Sequence, residues 1–186
     1  MNRIHRWLCR SAGWKNSLEN RIVPWVLSDI DLGSDVLEVG PGPGLTTDLL
    51  RTRYERLTAI EIDDRLAAAL EERLAGTNVA VVRGDATTMP FEDASFSGAV
   101  AFTMLHHVPT MEKQDRLLLE VHRVLKPGAM FAGTDAKRSV PLRLLHIGDT
   151  YVPVDPNRFG SRLQAAGFRT VQITEDSQRF RFQACA

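Results

Sequence analysis

The 186-residue sequence predicts an α/β fold, a Rossmann-like, doubly wound sheet of seven strands that is mostly parallel and ends in an antiparallel C-terminal hairpin. Three observations carry the prediction. Five short apolar runs between residues 35 and 134 alternate with helix-patterned stretches. A glycine cluster, Gly40-Pro-Gly-Pro-Gly44, closes the first of those runs. Two further β-rich runs, Phe168–Thr174 and Arg179–Ala184, are separated by only four residues and therefore pair as a hairpin.

The elements follow in order. Residues 17–29 space Leu18, Ile22, Val23, Val26 and Leu27 as a helix does, with Pro24 kinking or restarting it. Asp35–Val39 is a buried strand, and Gly44 to about Tyr54 a helix with Leu45, Leu49 and Leu50 on one side. Leu57–Ile62 is the second strand. Asp63 caps the next helix, whose Leu66, Leu70 and Leu74 recur every four residues up to Gly76. Asn78–Val82 and Ser95–Phe102 are strands three and four. A helix begins at Thr110, lines one face with Leu117, Val121, Val124 and Leu125, and stops at Pro127-Gly128 before strand five, Ala129–Thr134. Residues 136–156 read as irregular, and a short helix runs from Asn157 to Ala166. Residues 1–30 form an N-terminal helical cap, and 31–186 a single domain.

Composition narrows the function. With 44% hydrophobic residues and 25% charged ones, a chain of this length buries roughly 70% of its unfolded surface without a metal or disulfide staple. Cys9 and Cys185 lie near opposite ends with no C-x-x-C spacing, so neither a disulfide framework nor a zinc module is expected, and a reducing cytoplasm is the natural compartment. No run approaches the ~20 apolar residues of a bilayer span, and no signal-peptide pattern opens the chain. Its 23 basic and 23 acidic residues balance, yet unevenly. Residues 1–15 carry +4, and residues 136–186 hold eight bases against four acids, leaving an acidic body of −8 between them.

In an open α/β sheet the ligand sits beyond the carboxyl ends of the strands. There Gly40, Gly42 and Gly44 are spaced G-x-G-x-G, one residue short of the dinucleotide G-x-G-x-x-G, and no Lys-Ser/Thr follows as in a phosphate-binding P-loop. Such a loop lets a ligand touch backbone without neutralising phosphate. Glu38 is an acid inside an apolar strand, and a buried carboxylate needs a cation or donors, which the loop's own N–H groups would also provide.

The run Val36-Leu-Glu-Val-Gly-Pro-Gly-Pro-Gly44 resembles the first motif of class I S-adenosylmethionine-dependent methyltransferases. Glu61, ending strand two, matches the acid that takes both ribose hydroxyls in that family, with Ile62 beside it; Asp63 is a rival that its helix-capping role explains better. Asp85, in Arg83-Gly-Asp-Ala-Thr87, matches the acid that accepts from the adenine amino group, with the Ala86 N–H serving the ring nitrogen, although an Asx-turn also suits it. Phe102 and Thr103 should lie near the methionine part of the cofactor. The turn Leu125-Lys-Pro-Gly-Ala-Met-Phe131 is similar to the small-molecule branch that includes the quinone-biosynthesis methyltransferases. The resemblance thus implies S-adenosyl-L-methionine as cofactor, held by Glu38, Gly40, Pro41, Gly42, Gly44, Glu61, Ile62, Asp85, Ala86, Phe102 and Thr103.

Methyl transfer from a sulfonium needs alignment and desolvation more than acid–base help, and no Lys or Arg stands between residues 36 and 50 to repel that charge. No metal is expected, since no constellation with clear ligand spacing is visible. His106 and His107, after strand four, are the candidate catalytic residues; shaping the cofactor site or starting a helix is their other reading, and His146 is a weaker candidate. No N-P-P-Y-like sequence follows strand four, so sequence-specific nucleic-acid modification is not expected. A short-chain reductase is disfavoured because Tyr54 and Tyr151 lack a Lys four residues on.

Arg3, Arg6 and Arg10 cluster on a helical wheel beside Ile4, Trp7 and Leu8, and Lys137–His146 mixes basic and apolar residues similarly. These segments, 1–30 and 136–156, are expected to border an apolar or amphipathic small-molecule acceptor, with weak peripheral membrane contact if it is a lipid; solvated arginines on a packing helix are the plainer account. The chain leaves little room for a lid, so the acceptor site is open or completed by a second subunit in a homodimer. A non-catalytic cofactor-binding partner protein stays open as an alternative.

Overall fold

The computed structural model describes residues 11–186. The basic cluster at Arg3, Arg6 and Arg10 lies outside the described residues.

The chain opens with α1 (Ala12–Ser17), a π-helical turn (Leu18–Ile22) and α2 (Val23–Val26). Proline lacks the N–H that a continuous α-helix would use at position 24, and the wider turn, with the Val23 amide bonded to the Leu18 carbonyl, delivers Pro24 to the first turn of a restarted helix. Leu18, Ile22, Val23 and Val26 are all buried and pack with Leu50, Val100, Phe102 and Ala132 on one face of the sheet.

The sheet comprises β1 (Asp35–Val39), β2 (Arg56–Glu61), β3 (Val79–Arg83), β4 (Phe96–Phe102), β5 (Leu125–Ala136), β6 (Arg169–Glu175) and β7 (Arg179–Cys185), in the order β3-β2-β1-β4-β5-β7-β6. Strands β1 to β5 pair in parallel, while β7 is antiparallel to both β5 and β6, as expected. The central strands are almost wholly buried and the edge strands β3 and β6 are not, which is why the apolar runs of β1 and β4 are unbroken.

Helices α3 (Leu45–Leu50), α4 (Asp64–Leu74), α5 (Met111–Val124) and α7 (Pro156–Ala165) cover the faces. Asp63 caps α4 by accepting from the amides of Arg65 and Leu66, and Thr110 caps α5. Three expectations need correction. α3 is shorter than expected, ending at Leu50 instead of near Tyr54. The segment 136–156 is not wholly irregular, because Ser139 caps a helix, α6 (Val140–Leu145), with Pro141 in its first turn. Strand pairing resumes directly at Leu125, and Pro127-Gly128 is absorbed by a register shift between Phe96 and Gly98 rather than forming a separate turn.

Candidate functional site

Strand order reverses between β1 and β4, and a cavity of about 770 Å³ opens beyond their carboxyl ends. It is lined by Gly40, Pro41, Gly42, Glu61, Ile62, Asp63, Asp85 and Ala86, followed by Phe102 and Thr103. Trp14, Leu18, His106, His107, Leu142 and Leu145 line it as well.

The glycine loop divides its labour. Gly42 has φ +57°, and a Cβ there would meet nothing within 4 Å, so the loop leaves open space toward a ligand. At Gly40 a Cβ would stand 2.9 Å from the Met104 side chain. Gly44, with φ +84°, does not line the cavity; a Cβ there would strike Leu70 Cδ1 and Arg73 Nη2, so it is glycine to let the loop lie on α4. Arg73 backs the loop from outside, paired with both oxygens of Asp48 at 2.7 and 2.8 Å.

Glu61 spans the loop and the next helix. Its Oε2 accepts from the Gly42 amide and its Oε1 from the Asp63 amide, each at 2.9 Å. A carboxylate offers about four acceptor positions, so two remain for a pair of hydroxyl donors. Asp85 lines the cavity and also closes an Asx-turn, accepting from the Thr87 amide at 2.8 Å. The loop that carries it is tied down from α5: Glu120 accepts from the Met89 amide, while Arg123 donates to the Met89 and Phe91 carbonyls and pairs with Asp93 and Glu120.

Glu38 stands behind the loop, 1% exposed and outside the cavity lining. Its Oε1 accepts from the Thr46 hydroxyl, and Oε2 has no hydrogen-bond partner among the described residues. Burial pushes this carboxyl up to about 7, against the lowering effect of the Thr46 bond. Thr103 adopts φ +51°, a strained conformation for a β-branched residue, held by its amide's bond to the Thr134 carbonyl at 2.8 Å.

In the cavity lining, His106 is 3% exposed, and its Nδ1 meets Asp135 Oδ1 at 2.5 Å. Burial disfavours charge on this ring, but the Asp135 carboxylate outweighs it and holds the His106 pKa above the ordinary histidine value. Burial would raise the Asp135 carboxyl, yet the same pairing, with two backbone donors, keeps it low. His146, distant in sequence, is brought against both His106 and His107. Sequence reasoning missed Asp135, whose signal was the same as at Glu38, an acid inside an apolar strand. It also missed Trp14 and Arg179, which meet in a cation–π contact of 5.6 Å at the cavity edge and carry no local motif.

These residues fit S-adenosylmethionine: a backbone cradle at Gly42, an acid with spare acceptor positions at Glu61, a second at Asp85, and no basic residue from 36 to 50. Fold and site together define a class I S-adenosylmethionine-dependent methyltransferase. The sequence profile described as the methyltransferase domain matches residues 37–133, and the chain belongs to that family. Over 66 residues it is 47% identical to a ribosomal RNA small subunit methyltransferase A of Moorella thermoacetica, covering 35% of this chain and 23% of that one. Over 104 residues it is 33% identical to a demethylmenaquinone methyltransferase of Desulfitobacterium hafniense, covering 52% and 40%. The chain thus spans less than half the length of either relative. A methyltransferase structure from Archaeoglobus fulgidus superposes with a TM-score of 0.76 at 16% identity, covering 98% of both chains.

Proposed function

We propose that this chain transfers the methyl group of S-adenosylmethionine to a small apolar or amphipathic acceptor. The observation that carries the reading is that one cavity is lined both by Gly40–Gly42, Glu61 and Asp85 and by the apolar side chains of Trp14, Leu18, Leu142 and Leu145. Polar, acid-bearing lining suits a cationic nucleoside cofactor, and apolar lining suits an acceptor that must be desolvated at the reacting atom.

When bound, the cofactor supplies an activated methyl group on a positively charged sulfur. The residues of this chain hold and align it. Glu61 is the acceptor for its ribose hydroxyls, Asp85 and the Ala86 amide are the partners of its base, and Ile62, 68% exposed at the cavity edge, covers the ring. Gly40, Pro41 and Gly42 offer backbone to its amino-acid end, beside Phe102 and Thr103; Glu38 and Gly44 support that loop from behind. His106 and His107 face the acceptor's reacting atom across the cavity.

The acceptor's apolar character is supported by Val140, Leu144 and Ile147, exposed at 72%, 59% and 69% beside the lining residues Leu142 and Leu145. No helix among the described residues is long and apolar enough to cross a membrane. An acceptor presented at a lipid surface is a second reading favoured by that exposed rim. A nucleic-acid acceptor is disfavoured by the sequence Phe102-Thr-Met-Leu105 where an amino-directed N-P-P-Y-like motif would stand. The test is incubation with labelled S-adenosylmethionine and panels of quinols, phenols, sterols and RNA, following S-adenosylhomocysteine by mass spectrometry. Product that forms with an apolar small molecule supports the reading. Product formed only with RNA, or with no acceptor, overturns it, and sedimentation with anionic vesicles separates the lipid-surface version.

A further inference from the structure

One ring nitrogen from each of His106, His107 and His146 lies within 4.8 Å of the other two. The first two sit on a 3₁₀ turn (Leu105–His107) directly after β4, and the third follows α6, so tertiary folding alone assembles the group. Ring centroids are 4.3 Å apart for His106 and His107, 5.0 Å for His106 and His146, and 5.2 Å for His107 and His146.

Two of the rings are oriented through Nδ1. Asp135, fully buried, takes His106 Nδ1 at 2.5 Å on Oδ1, which also accepts from the Ala136 amide, while its Oδ2 accepts from the His106 amide at 3.1 Å. His146 Nδ1 faces the Leu142 carbonyl at 2.7 Å, and the Tyr151 ring stacks on His146 at 4.7 Å. Both contacts assign the ligand role to Nε2. His106 Nε2 is buried and without a hydrogen-bond partner among the described residues. A buried nitrogen left so costs stability unless something binds it.

We propose that His106, His107 and His146 form a site for one divalent transition-metal ion, Zn²⁺ by preference, with an open coordination position facing the cavity. Three imidazoles, with a carboxylate behind one and a carbonyl behind another, are the donor set and outer support that such ions take. Bonds of about 2.0–2.1 Å in tetrahedral geometry bring nitrogens to about 3.3 Å of one another, so the rings close on the ion by ~1.5 Å or less. His106 and His107 line the cavity, so the fourth position takes an oxygen donor of the acceptor, a hydroxyl or phenolate. That last point rests on the reading of the cavity as the acceptor site, whereas ion binding does not.

The test uses the full chain, stripped with a chelator, dialysed and titrated with ZnCl₂ by calorimetry, and with Co²⁺ by visible spectroscopy. One ion per chain and the absorption of four-coordinate Co²⁺ are expected. His106→Ala and His146→Ala should each weaken Zn²⁺ binding by ~100-fold or more, and Asp135→Asn, a positioning residue, by about 10–100-fold. His122→Ala, outside the cluster, should change nothing. S-adenosylhomocysteine affinity and the circular-dichroism spectrum of His146→Ala should match the parent, showing that the fold survives. Absence of saturable Zn²⁺ binding, or binding that persists in the His106→Ala/His146→Ala double variant, overturns the site. S-adenosylhomocysteine is titrated separately, so a chain that binds Zn²⁺ but not this nucleoside refutes the methyltransferase reading and leaves the metal site standing.

Discussion

The carboxylate of Glu61 accepts from the amide of Gly42 at 2.9 Å, tying the glycine loop after β1 to the end of β2. The residue assigned to the ribose therefore also holds the loop in shape. Glu61→Ala removes both functions, and a loss of about 100-fold in S-adenosylhomocysteine affinity is expected by calorimetry. Glu61→Gln keeps one carbonyl acceptor and should lose less. Equal losses for the two variants would show that one retained acceptor is not enough, and unchanged affinity in Glu61→Ala would overturn the assignment.

Two glycines two positions apart in one motif should fail differently. Gly42→Val fills space that opens on the cavity, so binding should fall by ~100-fold or more with only a small drop in Tm from the strained φ. Gly44→Val drives a side chain into Leu70, with its Cβ 2.3 Å from Cδ1, and should destabilise the fold by about 1–3 kcal/mol or more. Thermal melts beside titrations distinguish them.

Glu38 sets a pH dependence of stability. Its carboxyl lies near 7 in the folded chain against 4.5 for an unperturbed glutamate. Below pH 4.5 both states are protonated and no penalty exists. Between 4.5 and 7 the unfolded chain releases the proton while the folded chain keeps it, so stability falls with rising pH and levels off above 7. Chemical denaturation of Glu38→Gln at pH 4 and pH 8 should show its stability relative to the parent rising by about 3 kcal/mol between the two. A difference independent of pH would contradict the burial of this acid.

Arg123 anchors the loop that presents Asp85, reaching the carbonyls of Met89 and Phe91 and the carboxylates of Asp93 and Glu120. Arg123→Ala should weaken S-adenosylhomocysteine binding several-fold without touching the cavity, and Arg123→Lys should not restore it, because a single ammonium cannot span the fork. Hydrogen exchange at Asp85–Phe91 should rise in step.

The glycine loop after β1 and the acids that line the cavity beside it were legible in the sequence because their determinants are local. A strand end, a glycine loop and an acid two residues before a helix cap keep their spacing whatever the rest of the chain does, and Asp63 and Thr110 cap the helices where their side chains indicate. The histidine cluster was less so. His146 meets His106 only because the chain after α6 returns to the 3₁₀ turn that follows β4, and an α6 opened by Ser139 and Pro141 is too short for periodicity to register. Asp135 is less legible because the apolar run that marks β5 stops at Thr134, whereas pairing with β7 carries the strand to Ala136.

The cation–π contact between Trp14 and Arg179 has a kinetic consequence. It joins opposite ends of the sequence, as do the bonds from Arg181 to the Trp25 carbonyl and from Gln183 to the Val26 and Ser28 carbonyls. Closing so long a loop is entropically costly until the intervening sheet exists, so this wall is expected to assemble late in folding and, on synthesis, to wait for β7. The cavity lining between residues 40 and 103 precedes those contacts in the chain and is expected to take shape first.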